Sequence, residues 1–234
     1  MSKTVGILGG MGPLATVDLF AKIVENTPAV LDQDHLRIII DNNPHIPPRV
    51  EAIMQGGEDP LPAMAASAEL LAAAGADFIV MPCNTAHYWL AELQAAVAIP
   101  FYGMIDNAAA YMAANHRSLS GRLLLLATEA NIRLGLYQRA FAGQGMELCL
   151  PNQDEQTMLD KAVRRVKAGE LANNPYLEDI NAMLARHAAD GVAAVLAGCT
   201  EVPLLFPYFA VPLERFDATL LLARMVVARA RGEE

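Results

Sequence analysis

The sequence has little charge and no long hydrophobic run. Charged residues make up 18% of the 234 residues and apolar residues 54%, which is typical of a globular protein rather than a disordered or fibrous one. The longest apolar runs, such as Leu123 to Ala127, are far shorter than the roughly 20 residues of a membrane-spanning helix. The N-terminus MSKTVGILGG enters a strand-like run directly and lacks the features of a signal peptide. We therefore expect a soluble, cytoplasmic protein with no membrane partner.

Positive charge is scarce as well. The formal net charge is −9, which argues against a nucleic-acid partner, because phosphates require a basic surface. It does not argue against a small anionic substrate, since a locally positive pocket can hold one.

Cysteine is rare, and the pattern CxxC is absent. The three cysteines are an odd number, so we predict reduced thiols rather than a disulfide framework or a redox pair. Cys149, in MELCLP, has no polar neighbourhood and is predicted to be a core residue. Cys83 and His87 have helical spacing for a metal site, but the further ligands that zinc requires cannot be named. We predict no metal.

Short aliphatic runs alternate with Ala- and Leu-rich segments of helical length. This alternation predicts an α/β fold with parallel sheets. The predicted strands are Thr4–Leu8, Leu36–Asp41, Asp77–Met81, Phe101–Met104, Arg122–Ala127, Met146–Cys149, Val192–Ala197 and Val211–Phe216. The predicted helices are Leu14–Asn26, Pro60–Ala74, Ala86–Val97, Asn131–Ala142, Glu155–Ala168 and Leu177–Ala189.

Two stretches share one plan, which indicates an ancient duplication. In AGADFIVMPCNTA and ADGVAAVLAGCTEV a Gly-containing turn is followed by an apolar strand, a cysteine and polar residues. The two cysteines are 199 − 83 = 116 residues apart, and the strands VGILG and LLLLA start 123 − 5 = 118 residues apart. We predict two similar halves related by a pseudo-twofold axis, each delivering one cysteine.

Cys83 and Cys199 both follow a predicted strand, where open α/β sheets bind their ligands. A helix start after each cysteine would favour negative charge, so we expect the pKa of each thiol to be lowered. Buried packing is the common role of a single free cysteine, but two matching contexts favour chemistry. Two thiols facing each other would allow two-base proton transfer, in which one removes a proton from carbon and the other donates to the opposite face.

Five motifs, LGGMGPLAT, NNPHIPPR, MPCNTAH, VKAGEL and AGCTEV, give the sequence a family resemblance. In this order they resemble the aspartate/glutamate racemase family, most closely its cofactor-independent aspartate racemases, over nearly the whole chain. The resemblance implies two similar α/β domains with the active site in the cleft between them, and a homodimer. The first domain would comprise residues 1–101 and 212–234 and carry Cys83, and the second residues 102–211 and carry Cys199.

The resemblance also implies residue roles. Cys199 would take the α-proton from the L-enantiomer and Cys83 from the D-enantiomer. Asn84, Thr85 and Thr200, which follow the cysteines, would hold the α-carboxylate of the substrate. From the residues themselves we expect the glycine-rich loop to approach the substrate, and Glu201 to bind its ammonium, to position Thr200 or to be only a helix-start acid. The implied substrate-binding residues are Met11, Gly12, Arg49, Asn84, Thr85, Ala86, Lys167, Thr200 and Glu201.

Arg49 and Lys167 bear on the class of substrate. On composition alone each is a solvated surface charge; Arg49 is predicted in a loop and Lys167 near the end of a helix. In the aspartate racemases, cations at matching positions clamp the side-chain carboxylate of the substrate, a task that suits the planar fork of arginine. The resemblance therefore predicts a small acidic amino acid as substrate, aspartate and possibly glutamate.

No cofactor is predicted. The lysines are Lys3, Lys22, Lys161 and Lys167, and none lies in a convincing setting for a pyridoxal Schiff base. Alternatives remain open: a related hydantoin racemase or maleate isomerase, a binding protein without chemistry, or a nicotinamide-dependent oxidoreductase using the GxGxxA pattern that starts at Gly10. The last fits poorly, since Pro13 removes an N–H that a pyrophosphate would use. His87 could orient a thiol or be a structural histidine.

Overall fold

The computed structural model describes residues 2–233, in which the chain forms two parallel sheets flanked by helices. The strands are β1 (Val5–Gly9), β2 (Ile38–Asn42), β3 (Phe78–Val80), β4 (Phe101–Tyr102), β5 (Leu123–Ala127), β6 (Ala194–Gly198) and β7 (Glu214–Asp217). The helices are α1 (Pro13–Asn26), α2 (Arg49–Gln55), α3 (Leu61–Ala73), α4 (Leu90–Ala96), α5 (Met104–Asn115), α6 (Glu129–Leu134), α7 (Leu136–Gly143), α8 (Gln153–Lys167), α9 (Leu177–Ala189) and α10 (Ala218–Arg231). The predicted α/β class with parallel sheets is confirmed.

The chain divides into two compact units. The first runs to Asn107 and resumes at Thr219, and the second is Ala108–Ala218. In the first unit the strand order is β2-β1-β3-β4, and in the second it is β5-β6-β7. Strands β1, β3, β5 and β6 are buried throughout, which explains why they are continuous apolar runs rather than alternating ones.

Strand register repeats in the two units. In the first, Val5 pairs with Phe78, and Cys83 follows Phe78 by five residues. In the second, Leu123 pairs with Ala194, and Cys199 follows Ala194 by five residues. In each unit the first strand therefore pairs with the strand that precedes the cysteine, and the cysteine follows the paired residue by the same number of positions. A duplication would produce this agreement.

Some predicted elements differ from the structure. Met146–Cys149 is not a strand, because only an isolated bridge joins Cys149 to Leu124. The single helix predicted over 131–142 is broken into α6 and α7 at Gly135, which has a φ of 63°. Helices α2, α5 and α10 were not predicted.

Strand β7 lies next to the predicted domain boundary at residue 212. Strand β7 pairs in parallel with β6, so its backbone belongs to the second sheet, and the return to the first unit comes after it. We retain the two-domain division as a proposal, with β7 counted in the second domain. Among residues 2–233, none of the helices has the length and apolar character needed to cross a bilayer.

Candidate active site

Cys83 lies in the loop that leaves the carboxyl end of β3. A 3-10 helix, Thr85–Trp89, follows Asn84 and precedes α4. The predicted α-helix from Ala86 was therefore wrong in its first turn. Cys83, Asn84, Thr85 and Ala86 are all buried, so this loop is a packed structure and not a mobile surface segment.

The glycine-rich loop after β1 lies in the same unit. Its Met11 is buried in the apolar cluster that also contains Cys83 and Ala86. Gly10 has a φ of 91°, and a Cβ added there would lie 2.3 Å from the backbone carbonyl of Asn43. Only glycine therefore allows the loop after β1 to approach the loop after β2 this closely. Gly12 precedes α1, and a Cβ there would meet nothing within 4 Å.

Arg49 is the first residue of α2, not a loop residue as predicted. Its Nη1 donates to the carbonyl oxygens of Ile46, at 3.0 Å, and Pro47, at 2.9 Å. Its Nε is buried and has no hydrogen-bond partner among the residues that the structure describes. Because a buried donor without a partner costs free energy, this edge of the guanidinium is suited to an anionic ligand.

His87 joins two neighbouring loops of the first unit. Its Nε2 accepts a hydrogen bond from the backbone N–H of Met104, at 2.9 Å. Because a backbone N–H can only donate, Nε2 carries no proton, and the proton of the neutral ring lies on Nδ1. That Nδ1–H donates to the carbonyl oxygen of Cys83, at 2.9 Å. Burial lowers the pKa of His87, in agreement with a neutral ring.

Cys199 lies at the matching place in the second unit, directly after β6. Its Sγ donates to Oε2 of Glu201 at 3.0 Å, and the Thr200 hydroxyl donates to the same oxygen at 3.2 Å. Lys167, the last residue of α8, places its Nζ 3.8 Å from Oε1 of Glu201. The structure therefore brings three of the predicted site residues together around the buried carboxylate of a fourth, Glu201.

The electrostatics of this group correct one prediction. Burial, followed by the negative charge of Glu201, raises the pKa of Cys199 well above its ordinary value, although Lys167 acts in the opposite direction. The lowered pKa predicted for this thiol was wrong. The 3-10 helix after it, Val202–Tyr208, does not outweigh the carboxylate two residues on, and Cys199 is a thiol in this arrangement.

Tyr137 is a neighbour that sequence reasoning did not single out. It is fully buried, and a Cβ on Gly198 would lie 3.1 Å from its Cε2 and 2.6 Å from Leu125 Cδ1. Burial, followed by electrostatic interaction with Cys199 and Asp217, raises the pKa of Tyr137, so its hydroxyl stays protonated. Its position in α7 carries no motif, and only the fold brings it to the end of β6.

The structure also describes the remaining candidate metal ligands and the third cysteine. Within the described part of the chain, residues 2–233, no group of three or more His, Cys, Asp or Glu side chains is arranged to hold a metal ion. All three cysteines are free thiols. Cys149 is half-buried and donates from Sγ to the carbonyl oxygen of Gly121, which is a structural contact.

Comparison with known proteins decides the family. Residues 8–226 match the family described as Asp/Glu/Hydantoin racemase. The chain belongs to this family. This racemase is 33% identical to the Picrophilus torridus aspartate racemase, with a TM-score of 0.86 over 98% of this chain and 94% of that one.

Two further relatives are similar over most of their length. An aspartate racemase homologue from Pyrococcus horikoshii OT3 is 25% identical, with a TM-score of 0.77 over 98% of this chain and 99% of that one. The broad specificity amino-acid racemase RacX of Bacillus subtilis (strain 168) is 22% identical over 96% of each chain. The predicted family is confirmed, and the chain is an amino-acid racemase, an isomerase. The oxidoreductase alternative gives way to this assignment.

Proposed function

We propose that this racemase interconverts L- and D-aspartate, without pyridoxal phosphate, by proton transfer between Cys83 and Cys199. The observation that carries the proposal is the matching position of the two thiols. Each thiol lies five residues after the residue that pairs with the start of the first strand of its unit. The likeness to the Picrophilus torridus aspartate racemase favours aspartate over glutamate. A related hydantoin racemase would not need a clamp for an acidic side chain. Maleate has a second carboxylate, but it has no α-proton on a stereocentre for two thiols to exchange.

The chemical step moves one proton onto the enzyme and another off it. A thiolate takes the α-proton, so that a C–H bond breaks and an S–H bond forms. The opposite thiol then gives its proton to the other face of the carbanion, so that an S–H bond breaks and a C–H bond forms. Because Cys199 donates to Glu201 as a thiol, we propose that it serves as the proton donor in this form, with Cys83 as the base. By the family resemblance, this form accepts the D-enantiomer.

The carbanion must be stabilised by the protein. We propose that the backbone amides and side chains of Asn84, Thr85 and Thr200 hold the α-carboxylate, with Met11, Gly12 and Ala86 shaping the site. Each well-aimed donor contributes on the order of 3 kcal/mol to the transition state. Glu201, also among the predicted substrate-binding residues, accepts hydrogen bonds from the Cys199 thiol and the Thr200 hydroxyl, and we propose that it positions these two groups.

The side-chain carboxylate of the substrate is the second anionic group to be held. We propose that Arg49 binds it through the Nε edge that has no partner within the described residues, and that Lys167 supplies a second positive charge. At 3.8 Å from Glu201, and with about half of its side chain exposed, Lys167 is placed to exchange part of its ion pair for a substrate carboxylate.

The test is α-proton exchange in D2O. The purified protein, with reductant and no added cofactor, is incubated with L-aspartate, while optical rotation and loss of the α-proton signal are followed. We expect rotation to vanish with uptake of deuterium, and racemisation to fail in Cys83→Ser and Cys199→Ser. Cys149→Ser is the matched control and should keep full activity. Absence of exchange with either enantiomer of aspartate or glutamate would refute the acidic substrate.

We also propose that the protein is a homodimer located in the cytoplasm. The apolar side chains Leu14, Val17, Phe20 and Val24 are exposed along one side of α1, and monomeric proteins rarely leave a contiguous apolar stripe uncovered. Sedimentation equilibrium of wild type and Val17→Asp tests this. A wild-type monomer, or a dimer unchanged by the substitution, contradicts the assignment of this face.

A further inference from the structure

His87 is held at both ring nitrogens in the first unit. Strands β3 and β4 are neighbours, with Val80 paired to Tyr102, so the loop carrying Cys83 and the start of α5 leave adjacent strand ends. His87 spans these two loops, from the carbonyl oxygen of Cys83 to the N–H of Met104. The Met104 N–H is one of the helix-start donors that have no partner within the helix, so the bond also caps α5.

The bond to the Cys83 carbonyl has a directional consequence. The peptide between Cys83 and Asn84 is trans, since among residues 2–233 the cis peptide bond is Met11–Gly12. In a trans peptide the N–H points away from the preceding C=O. Fixing the Cys83 carbonyl on the ring of His87 therefore aims the Asn84 N–H to the opposite side, and it also fixes the backbone from which the Cys83 side chain extends.

We propose that His87 is a positioning residue for Cys83, which acts through its neutral Nδ1–H and takes no part in proton transfer. This inference rests on the proposed function, because the group it aims is a proposed catalytic thiol. It separates two uses of the ring: the Nδ1–H bond sets the geometry of Cys83 and Asn84, and the Nε2 bond contributes only to stability.

The surroundings of the ring agree with this role. A Cβ on Gly103 would lie 3.5 Å from His87 Cδ2, an ordinary packing distance, so the ring lies directly beside the Gly103 backbone. The backbone N–H of His87 donates to the Asn84 carbonyl. The ring is thus held by its own loop and by the start of α5, and with Met104 donating to Nε2 it has no lone pair left to accept a substrate proton.

Two conservative variants test the inference. In His87→Asn the side-chain amide can donate near the former Nδ1 position, whereas in His87→Gln the longer side chain can accept near the former Nε2 position. Each loses one hydrogen bond of about 1 kcal/mol, so their melting temperatures should be similar. We expect His87→Asn to keep kcat within a few-fold of wild type, and His87→Gln and His87→Ala to lose kcat by about 10²-fold.

Alkylation gives a readout that does not depend on turnover. Wild type and variants are treated with iodoacetamide, and the rates at Cys83 and Cys199 are measured by peptide mass spectrometry. We expect the Cys83 rate to change in His87→Gln and His87→Ala but not in His87→Asn, with the Cys199 rate constant throughout. The control is His187→Asn, which removes a comparable bond between His187 and Glu155.

Either of two outcomes would overturn the inference. The first is that kcat follows melting temperature, with the Asn and Gln variants equally impaired, which is the behaviour of a merely structural histidine. The second is an unchanged Cys83 alkylation rate in His87→Ala. If wild type shows no exchange with any acidic amino acid, the proposed function fails, while the alkylation rates still decide whether His87 positions Cys83.

Discussion

Cys199 donates its thiol proton to Oε2 of Glu201 across 3.0 Å, at the carboxyl end of β6. Two oppositely acting charges bear on the sulphur: the Glu201 carboxylate raises its pKa and the Lys167 ammonium lowers it. Burial adds to the effect of the carboxylate. The pair therefore holds Cys199 as a proton donor, which is one of the two states that a two-thiol racemase must adopt.

Replacing Glu201 by Gln should lower the pKa of Cys199. The substitution removes a negative charge beside the thiol and leaves the positive charge of Lys167, so the midpoint of the alkylation–pH curve of Cys199 should move to lower pH. Iodoacetamide labelling between pH 6 and 10, read out by peptide mass spectrometry, measures it. Glu155→Gln, which removes another buried carboxylate of the second unit, should leave the Cys199 curve in place. An unchanged midpoint in Glu201→Gln would contradict the electrostatic role of this residue.

The two proposed clamp residues should control substrate affinity. Arg49→Lys keeps the charge but loses the planar fork, and Lys167→Gln loses the charge. Each should reduce kcat/KM for aspartate about tenfold or more, since a hydrogen bond to a charged group is worth about 1.5–3 kcal/mol. The matched controls are Arg165→Lys and Lys161→Gln on the same helix, α8, as Lys167. Equal losses in the controls would show that the effect is general and not due to a clamp.

The stability of the protein should fall on mild acidification because of His87. Its pKa is lowered by burial, so its contribution is fully present above the ordinary value of about 6.5 and is lost as pH falls through the lowered pKa. The free energy of unfolding should decrease by at most about 1.4 kcal/mol per pH unit from this group. Urea unfolding at pH 7.5, 6.5 and 5.5 measures it. The decrease should be smaller in His87→Asn, and an equal decrease in both proteins would assign it to other groups.

Gly10→Ala should destabilise the first unit. The residue has a φ of 91°, and its Cβ would lie 2.3 Å from the Asn43 backbone, so both backbone strain and a clash with main-chain atoms arise. We expect a loss of roughly 2 kcal/mol or more. Thermal unfolding beside Gly12→Ala tests this, because Gly12 has an extended φ of −105° and an open Cβ position. Similar melting temperatures for the two variants would contradict the close approach.

The sequence by itself determined the elements whose signals are local. Continuous apolar runs gave the buried strands β1, β3, β5 and β6, and Gly, Pro and Asn residues gave their approximate ends. The shared sequence plan around Cys83 and Cys199 predicted the repeat. Two units with the same strand pairing have similar spacings between their elements, and these spacings are visible in the sequence. Family motifs supplied Arg49 and Lys167, which no periodicity would have separated from surface charges.

The tertiary structure decided what depends on residues that are distant in sequence. The bond between Nε2 of His87 and Met104, seventeen residues on, fixes a tautomer that the spacing of Cys83 and His87 leaves open. No sequence motif indicates that Tyr137 contacts the end of β6. The pKa of Cys199 was predicted with the wrong sign, because a helix start is visible in sequence, whereas the burial of a thiol against a carboxylate is a property of the packed fold. Local pattern fixes where a thiol stands on the chain, but its protonation state depends on the charges and the solvent exclusion that folding assembles around it.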